Sequence, residues 1–388
     1  MKIAGVIAEY NPFHNGHKYH LEETRRSGAT HIVVIMSGAA VQRGEAAIAD
    51  KYFRAKTAVE NGADLVIELP CPYSCSSAER FASGAVQILA GFGEDGVSML
   101  SFGCEDADIS LLNRAAEISC ELEDSERVKE LLENGVSYPA AVASASGIPD
   151  IKALFDRPNN MLAIEYIKAL KKYAPWITPT AVGRKGVSHD SEEVCEGIAS
   201  ASFIRQLIKA GTDYSAYVPK MMDSEPFLME YADKSLLLKI MTSPVSDIQR
   251  LPDMSTHLAR RFVNTRGAKC ELIHSVSDLA EQFKHKAITL ARVRRMIMYL
   301  ALGVTSHDFF DVPYGRILAL NDKGREIFSA CRGMTMKYST SLAELEKLSP
   351  RAARISELER NAAAFQQMCV SGRPEFVSEY TRKIVLTT

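Results

Sequence analysis

The stretch that decides the fold is residues 5–20, which read Gly-Val-Ile-Ala-Glu-Tyr-Asn-Pro-Phe-His-Asn-Gly-His-Lys-Tyr-His. An apolar run over Ile3–Ala8 predicts a buried β-strand. The motif His-Asn-Gly-His at 14–17 follows this run and leads into a stretch that favours a helix. A helix start binds anions because its first backbone N–H groups are unpaired and its dipole is positive there. The segment therefore predicts a strand, a turn and a helix that place two imidazoles beside phosphate groups.

The two histidines and Gly16 suit a triphosphate. Imidazoles can donate to phosphoryl oxygens and stabilise the charge that grows when an α-phosphate is attacked, and Gly16 lets the backbone approach a phosphate where a Cβ would clash. The four letters alone are equally typical of a surface loop with two solvated histidines. Their position after the first strand of an α/β domain, where nucleotides bind, favours the site. The sequence has no Gly-x-Gly-x-x-Gly after this strand and no Walker motif, which argues against a dinucleotide dehydrogenase and a P-loop kinase.

Composition indicates an ordinary globular protein of one large domain or two. The 388 residues are 46% hydrophobic and 24% charged, and no apolar run approaches the roughly 18 residues that span a bilayer. The N-terminus has no signal-peptide pattern, so we expect a cytoplasmic protein without a membrane partner. The eight cysteines are scattered without a Cys-x-x-Cys pair, and Cys71 and Cys75 lack a second pair or a nearby histidine. We therefore expect reduced thiols and no metal site within the protein.

The net charge of −2 hides an asymmetry between the two halves of the chain. Residues 1–190 carry 19 basic and 25 acidic side chains, whereas residues 191–388 carry 27 basic and 23 acidic ones. A mildly acidic half joined to a basic half fits a polyanionic partner that docks on the C-terminal side.

Apolar periodicity predicts an α/β fold with a parallel sheet, followed by a mainly helical part. Strand-like and helix-like runs alternate through the first 110 residues, and from about 220 to 305 the apolar spacing is helical almost throughout. We place the domain boundary at 210, giving a catalytic domain over 1–210 and a basic helical region over 211–388. The predicted strands are 3–8, 31–36, 65–69, 97–102, 178–182, 315–320 and 336–338, and the predicted helices of the first domain are 17–27, 51–61, 78–90, 109–147, 159–173 and 201–210.

Polar residues that follow the predicted strands are candidates for the site, because α/β sheets bind ligands at the carboxyl ends of their strands. Gln42 and Arg43 lie in a loop of small residues after the second strand, where they could close on a second substrate, although a solvated connection is the alternative. Lys51 could reach back to a phosphate, but a surface position is commoner for lysine. Gly103 would let a base or ribose rest against bare backbone, although it could also be a simple turn residue.

Later segments carry further candidates. Asn159 and Asn160 open a helix, where asparagines are usually caps. A basic pair follows the strand over 178–182. Two hydroxyl groups and an arginine at another helix start could form a second anion site facing the first, or serve only as a cap. The residues concerned are Arg184, Lys185, Ser200, Ser202 and Arg205.

Together these motifs resemble the nucleotidyltransferase superfamily, which shares the ATP-binding layout of class I aminoacyl-tRNA synthetases. They are most similar to the bacterial tRNA(Met) cytidine acetate ligase family. The likeness is specific from residue 1 to about 210 and loose beyond that. The motifs that carry it are Glu-Tyr-Asn-Pro-Phe-His-Asn-Gly-His at 9–17, Met-Ser-Gly at 36–38, Gln-Arg-Gly-Glu at 42–45, Asp-Leu-Val-Ile-Glu-Leu-Pro at 64–70, Arg-Pro-Asn-Asn at 157–160 and Ser-Ala-Ser-Phe-Ile-Arg at 200–205.

The resemblance implies a Rossmann-like nucleotidyltransferase domain that works in two steps. Acetate attacks the α-phosphate of ATP to give acetyl-adenylate and pyrophosphate, with Mg²⁺ on the departing group, and the N4 amine of the wobble cytidine of elongator tRNA(Met) then takes the acetyl group. Positioning and charge stabilisation suffice for such attack at phosphorus. Cys104 after Gly103 departs from the expected serine.

The resemblance also assigns roles to residues. His14, His17, Gln42 and Arg43 would be catalytic, and Gly103, Asn159, Asn160, Arg184, Lys185, Ser200, Ser202 and Arg205 would add contacts to an ATP cradle. Most of that cradle would come from Ile7, Ala8, Glu9, Tyr10, Asn11, Pro12, Phe13, His14, Asn15, Gly16, His17, Lys18, Tyr19 and His20.

A basic helix near residue 290 suits the RNA substrate. Lys284, Lys286, Arg292 and Arg295 could contact tRNA phosphates. The alternative is an amphipathic helix that packs on the core with one face and exposes its basic face to solvent. An anticodon loop lets its cytidine splay into an active site, and we expect no DNA partner. Two other functions stay open, a small-molecule adenylyltransferase of coenzyme biosynthesis and a non-catalytic RNA-binding regulator with a nucleotide pocket.

Overall fold

Ten strands lie within the part of the chain that the computed structural model describes, residues 1–134, 136–184, 197–268, 270–284 and 288–387. Eight of them form one sheet and the other two form a small hairpin. The strands are β1 Ile3–Ala8, β2 His31–Ser37, β3 Ala40–Val41, β4 Glu45–Ala46, β5 Leu65–Leu69, β6 Val97–Cys104, β7 Thr178–Gly183, β8 Gly315–Leu320, β9 Tyr338–Ser339 and β10 Val385–Leu386.

The helices cover the sheet and then build a separate layer in the C-terminal half. They are α1 Asn15–Arg26, α2 Lys51–Glu60, α3 Ala78–Ala90, α4 Ile109–Leu122, α5 Glu126–Glu133, α6 Tyr138–Ser146, α7 Pro149–Phe155, α8 Pro158–Tyr173, α9 Ala201–Lys209, α10 Asp233–Thr242, α11 Val245–Gln249, α12 Thr256–Ala268, α13 Val276–Phe283, α14 Leu290–Leu302, α15 Asp322–Ala330, α16 Leu342–Leu345 and α17 Pro350–Gln367. Among the described residues, no helix is both long and apolar enough to cross a bilayer.

The sheet has the strand order β10-β8-β5-β2-β1-β6-β7, with β9 beside β8. Pairing is parallel except between β5 and β8. The chain leaves β1 for β2 on one side and returns later as β6 on the other side, so β1 sits where the winding direction reverses. A crevice opens at the carboxyl ends of the strands at such a point, and ligands of α/β sheets bind there.

Alternation of side chains explains why β2 is apolar throughout. Val33 and Ile35 pack into the core that α3 and α8 cover, whereas Ile32, Val34 and Met36 pack into the core beneath α1 and α2. Parallel strands that helices cover on both faces have continuous apolar sequences, and this pattern made the strands predictable.

The predicted α/β class with a helical C-terminal part is confirmed. The strands predicted over 3–8, 65–69 and 315–320 have their predicted bounds, and the other predicted strands differ by a few residues at their ends. The hairpin of β3 and β4, helix α15 and strand β10 were missed. The sheet takes β8, β9 and β10 from beyond residue 210, so strands from both sides of the predicted domain boundary share it.

A buried cluster of charges joins the two halves of the chain. Lys51 is not the surface residue or phosphate ligand considered above, because its Nζ lies 2.5 Å from Glu68 and 2.7 Å from Glu379. Arg316 on β8 pairs with the same two carboxylates, and Glu359 on α17 accepts from the backbone N–H of residue 71. Burial opposes the charge on Lys51, but the neighbouring carboxylates outweigh it and raise its pKa.

Lys51→Met should lower the free energy of unfolding by about 3–5 kcal/mol, because it removes one of the two buried cations and leaves Glu68 and Glu379 with Arg316 alone. Lys56→Met on the same helix is the control. Its side chain is 44% exposed and its amine lies 3.8 Å from Glu60, so we expect a loss below about 1 kcal/mol. Urea unfolding of both variants measures the difference, and equal losses would contradict a structural role for the cluster.

Candidate functional site

A cavity of about 220 Å³ opens at the carboxyl ends of β1, β6 and β7, between the starts of α1, α8 and α9. It lies at the point where the sheet reverses its winding direction. Its lining residues are Ile7, Ala8, Glu9, Tyr10, Asn11, His14, Gly16, His17, Tyr19, His20, Gln42, Arg43, Phe81, Phe102, Gly103, Asn159, Leu162, Tyr166, Val182, Gly183, Arg184, Ile198, Ala199, Ser200, Ala201 and Arg205.

The two histidines of the motif hold each other at the start of α1. His14 is the N-cap, and its Nδ1 accepts the backbone N–H of Gly16 at 3.1 Å. The Nδ1 of His17 accepts the backbone N–H of His14 at 3.2 Å, and the two rings stack with centroids 3.7 Å apart. Because both Nδ1 atoms accept, each neutral ring carries its proton on Nε2. The Nε2–H groups are the donors that remain for a ligand.

Burial favours the neutral form of the N-cap His14 and of the two histidines of α1, His17 and His20. Burial, and then the positive charges of Arg184 and Arg205, lower the pKa of His14 to about 3. Burial likewise lowers the pKa of His17 and brings that of His20 to about 4. The site therefore presents neutral donors beside fixed guanidinium charges.

A chain of hydroxyl groups sets the tautomer of His20. The Thr24 hydroxyl donates to the carbonyl of His20 at 2.8 Å, so the Ser101 hydroxyl must donate to Thr24 Oγ1, 2.7 Å away. Ser101 Oγ can then only accept from Nε2 of His20, at 3.0 Å. The acceptor that His20 keeps is Nδ1.

Gly16 is required by the protein itself. A Cβ at this position would lie 2.9 Å from Cε1 of the His14 ring, so any side chain would displace the cap. Its neighbour Asn15 points elsewhere, because its Nδ2 donates to the carbonyls of Gly197 and Ala216 at 3.0 Å each. The motif thus fixes its own first histidine and ties α1 to the chain around α9.

Residues after β1 bend the chain around the cavity. Tyr10 has a φ of 48°, in the left-handed region, and its ring meets His17 edge to face at 4.8 Å. Oδ1 of Asn11 accepts the backbone N–H of Ile48, whereas the Tyr10 hydroxyl and Asn11 Nδ2 have no partner among the described residues. Buried unpaired donors in a cavity wall are what a polar ligand would satisfy.

Glu9 links β1 to the loop after β2. Its carboxylate accepts the backbone N–H of Gln42 at 2.6 Å, and burial raises its pKa even though Arg205 and Arg43 lie near. Arg54 connects the ends of β1 and β2, since its guanidinium donates to the carbonyls of Glu9 and Ser37 at 2.7 and 2.9 Å. Gln42 and Arg43 both lie in the cavity wall, and their part in the chemistry stays a prediction.

The turn after β6 rests on the start of α8. Glu105 accepts from the backbone N–H groups of Asn159 and Asn160, and Asn160 Oδ1 accepts the backbone N–H groups of Glu105 and Asp106. Asn160 is fully buried in this role, while Asn159 lines the cavity and accepts from Arg184 at 3.3 Å. Asn160 therefore supports the turn, whereas Asn159 is part of the cavity wall.

Cys104 stands where a serine was expected, and its side chain fits within the turn. It is buried, with its sulfur 3.9 Å from the carbonyl of Val182, and burial raises its pKa to about 12. Gly103 before it has ample room, because among the described residues a Cβ there would meet only Cγ of Arg184, at 3.8 Å. No residue that the structure describes requires glycine at this position.

The start of α9 closes the cavity on the remaining side. Ser200 is the N-cap and accepts the backbone N–H of Phe203 at 3.1 Å. Arg205 donates to the carbonyl of Asn11 at 2.8 Å and to the Ser202 hydroxyl at 3.1 Å. The two predicted anion sites, at the starts of α1 and α9, thus face one cavity.

Several predicted residues stand behind the wall and do not line it. Pro12 and Phe13 shape the turn, Lys18 lies on α1 outside the lining, and Ser202 holds Arg205. Lys185 and Lys286 lie outside the described residues. Sequence reasoning missed the apolar wall, which comes mostly from helix and strand positions with the pattern of core residues and partly from the segment before α9. Its members are Phe81, Phe102, Leu162, Tyr166, Val182, Gly183, Ile198, Ala199 and Ala201.

The basic residues near 290 are engaged within the protein. Lys284 is exposed and pairs with Glu281, and Arg292 donates to the carbonyl of Asp253 at 2.9 Å. Arg295 is partly buried and lies 3.5 Å from the carbonyl of Gln42. Their contact with RNA stays a prediction.

Among the described residues there is no group of three or more His, Cys, Asp or Glu side chains that could hold a metal ion.

Comparison with known proteins adds independent findings. The HIGH Nucleotidyl Transferase family model matches residues 1–376. The tRNA(Met) cytidine acetate ligase of Acetivibrio thermocellus is 36% identical and that of Clostridium acetobutylicum 33% identical, each over 100% of both chains. The apo crystal structure of Thermotoga maritima TmcAL is similar with a TM-score of 0.89 and 26% identity, and the form bound with alpha-thio ATP with a TM-score of 0.86 and 27% identity; both cover 100% of this chain and 99% of the other.

Gly103→Ala should leave the free energy of unfolding unchanged to within about 0.5 kcal/mol and raise the Kd for ATP about tenfold or more. The new methyl has room in the protein but would stand where a nucleotide approaches the backbone. Gly333→Ala, where a Cβ meets nothing within 4 Å, is the control for both quantities. Isothermal titration with ATP measures Kd, and wild-type affinity in Gly103→Ala would exclude this contact.

The imidazole resonances of His14 and His20 should stay in the neutral position from pH 8 down to about pH 5, because the pKa values lie near 3 and 4. A free histidine peptide titrating near 6.5 is the reference. An unfolded chain binds these protons between pH 6.5 and 4 while the folded chain does not, so stability falls as the pH falls through that range. Carbon-detected NMR of labelled histidines would reveal a midpoint near 6.5 if the rings were solvated.

Proposed function

We propose, from the premise that this chain belongs to the HIGH nucleotidyl transferase family and within it to the tRNA(Met) cytidine acetate ligases, that it acetylates tRNA with ATP and acetate. It would form acetyl-adenylate and then transfer the acetyl group to N4 of the wobble cytidine of elongator tRNA(Met). A tRNA substrate implies a reaction in the cytoplasm. The observation that carries the proposal is the stacked pair of neutral histidines at the start of α1, facing two arginines across the cavity.

The phosphates would lie between the starts of α1 and α9. The Nε2–H groups of His14 and His17 would donate to phosphoryl oxygens, and the positive ends of the two helix dipoles would add to their attraction for the phosphates. The guanidinium groups of Arg184 and Arg205 would balance the charge that builds up as pyrophosphate departs. Neutral histidines suit this task, because Nδ1 of each already accepts a backbone N–H and the rings cannot turn away.

The adenosine would extend toward the ends of β6 and β7. Support comes from Gly103, whose missing side chain leaves the backbone open, and from Asn159, which stands beside Arg184 at the same edge. Nδ1 of His20 is a further acceptor in this wall. With the adenosine held there, the α-phosphate would be placed so that a carboxylate attacks in line, which is positioning and not covalent catalysis.

The acetyl group and the cytidine would enter from the side of Glu9 and the loop after β2. The first step forms a bond between an acetate oxygen and the α-phosphorus, and the pyrophosphate leaves. The second step forms a bond between N4 and the acetyl carbon, the bond between the acetyl carbon and the phosphate oxygen breaks, AMP leaves, and N4 releases one proton to solvent. Gln42 and Arg43 stand where they could face this exchange, and Arg43 could neutralise acetate or the AMP phosphate.

Mg²⁺ would arrive with ATP and neutralise the departing pyrophosphate. Magnesium is usually held by substrate phosphates and water together with one or two carboxylates, and Glu9 is the carboxylate that the described cavity wall offers. Its raised pKa and its bond to Gln42 make it a weak ligand, so the phosphates would supply most of the coordination.

Incubation with ATP, Mg²⁺, acetate and total bacterial tRNA, followed by digestion and mass spectrometry, tests the proposal. We expect N4-acetylcytidine that depends on acetate, and a loss of at least about a hundredfold in His14→Ala and His17→Ala. Lys284→Ala should keep the acetate-dependent formation of pyrophosphate while weakening the use of tRNA at low concentration.

Other outcomes would point to the functions that the sequence leaves open. Release of pyrophosphate that needs a different small molecule and no acetate would indicate a small-molecule adenylyltransferase. ATP binding without turnover under any condition would indicate an RNA-binding regulator. Either result would overturn the proposed acetylation.

A further inference from the structure

The hairpin of β3 and β4 carries Gln42 and Arg43 on its turn. The backbone N–H of Gly44 donates to the carbonyl of Val41 at 2.9 Å, and Val41 pairs with Glu45 across the hairpin. Gly44 has a φ of 74°, as the last residue of a three-residue hairpin turn commonly does. The turn therefore has one defined conformation that displays two candidate catalytic side chains.

This hairpin packs into the helical half of the protein and not into the sheet. Ala39, Ala40 and Ala46 belong to the same buried apolar cluster as Val293 and Ile297 of α14. Their small side chains let the hairpin come close to the helix. The loop after β2 is thus supported by residues that lie about 250 positions later in the chain.

The closest approach is between Gly44 and the first turns of α14. A Cβ at this position would lie 2.6 Å from the backbone carbon of Arg294 and 2.8 Å from Cα of Arg295. A side chain of any size is therefore excluded by a helix backbone, which cannot move aside as the end of a long side chain can. The turn therefore lies directly on the helix backbone.

Two arginines of α14 contact the hairpin through the residues on either side of Gly44. Nη1 of Arg294 lies 2.7 Å from Oε1 of Glu45, in a pair whose side chains are 36% and 24% exposed. Nη1 of Arg295 points to the carbonyl of Gln42 at 3.5 Å. On its other side the turn reaches the cavity, where the backbone N–H of Gln42 donates to Glu9.

We propose that Arg294 and Arg295 are positioning residues, which hold the turn of Gln42 and Arg43 against Glu9 for the adenylation step. The inference rests on the proposed function. The helix that the sequence predicts to contact RNA would then be a part of the catalytic site's scaffold. A partly exposed ion pair adds at most about 1 kcal/mol to stability, so its use here is geometric. A displacement of about 1 Å in a catalytic loop can lower a rate about a hundredfold.

The test measures acetate-dependent exchange between pyrophosphate and ATP, which needs no tRNA. Glu45→Ala and Arg294→Ala should each lower kcat about tenfold or more, with the KM for ATP within about twofold of wild type. The double variant should be no worse than either single one, and the exchanged pair Glu45→Arg with Arg294→Glu should regain most of the rate. Thermal unfolding checks that all variants fold.

Glu60→Ala is the matched control, because it breaks the Lys220–Glu60 pair, which also joins the two halves and is 37% and 34% exposed. It should exchange at the wild-type rate. Wild-type exchange in Glu45→Ala, or no recovery in the exchanged pair, would overturn the proposal. So would an Arg294→Ala variant whose only defect is weaker tRNA binding, since that result assigns the arginine to RNA. Absence of exchange in the wild type would instead refute the proposed function.

Discussion

The buried charge cluster around Lys51 is the interaction on which the joining of the two halves depends. Lys51 and Arg316 bring two positive charges into a space shared with Glu68, Glu359 and Glu379. Three carboxylates beside two cations place negative charge in excess, and burial together with the neighbouring Glu68 raises the pKa of Glu359, which disfavours its charged form. The charges come from α2, β5, β8, α17 and the C-terminal segment. They balance only when all these elements are in place, because an unpaired buried charge is strongly destabilising.

The same helix α2 carries this constraint from the cluster to the site. One turn after Lys51, the buried Arg54 donates to carbonyls at the ends of β1 and β2 and to that of Ala49. Burial lowers its pKa to about 10, so it remains charged at neutral pH, and backbone carbonyls supply much of its hydrogen bonding. The carboxyl ends of the two central strands are thereby fixed in relation to the helical half. The position of the hairpin that follows β2 therefore depends on the ends of these strands and on the helical half.

The sequence predicts the regular part of the fold well because helix-covered parallel strands are apolar on both faces. Strands β1 and β5 could be located to the residue on that basis. The hairpin of β3 and β4 could not, since two-residue strands of small side chains have no periodicity. That β8 lies antiparallel beside β5 was equally out of reach, because the Glu68–Arg316 contact that accompanies it joins residues 248 positions apart. The apolar cavity wall escaped for a related reason: Phe81 and Tyr166 have the spacing of core residues, and their sequence context does not distinguish a core from a cavity.

Two glycines show how far a motif can be interpreted from its letters. Gly16 was expected to clear a path for phosphate, yet the His14 ring already excludes a side chain there, so its presence says little about the ligand. Gly103 was the weaker expectation, and it is the more informative residue, because neither its backbone conformation nor its neighbours among the described residues require glycine. A glycine with no structural reason beside a cavity points to something that occupies the cavity. The strength of a functional inference therefore depends on whether the fold itself already explains the residue, which only the three-dimensional contacts reveal.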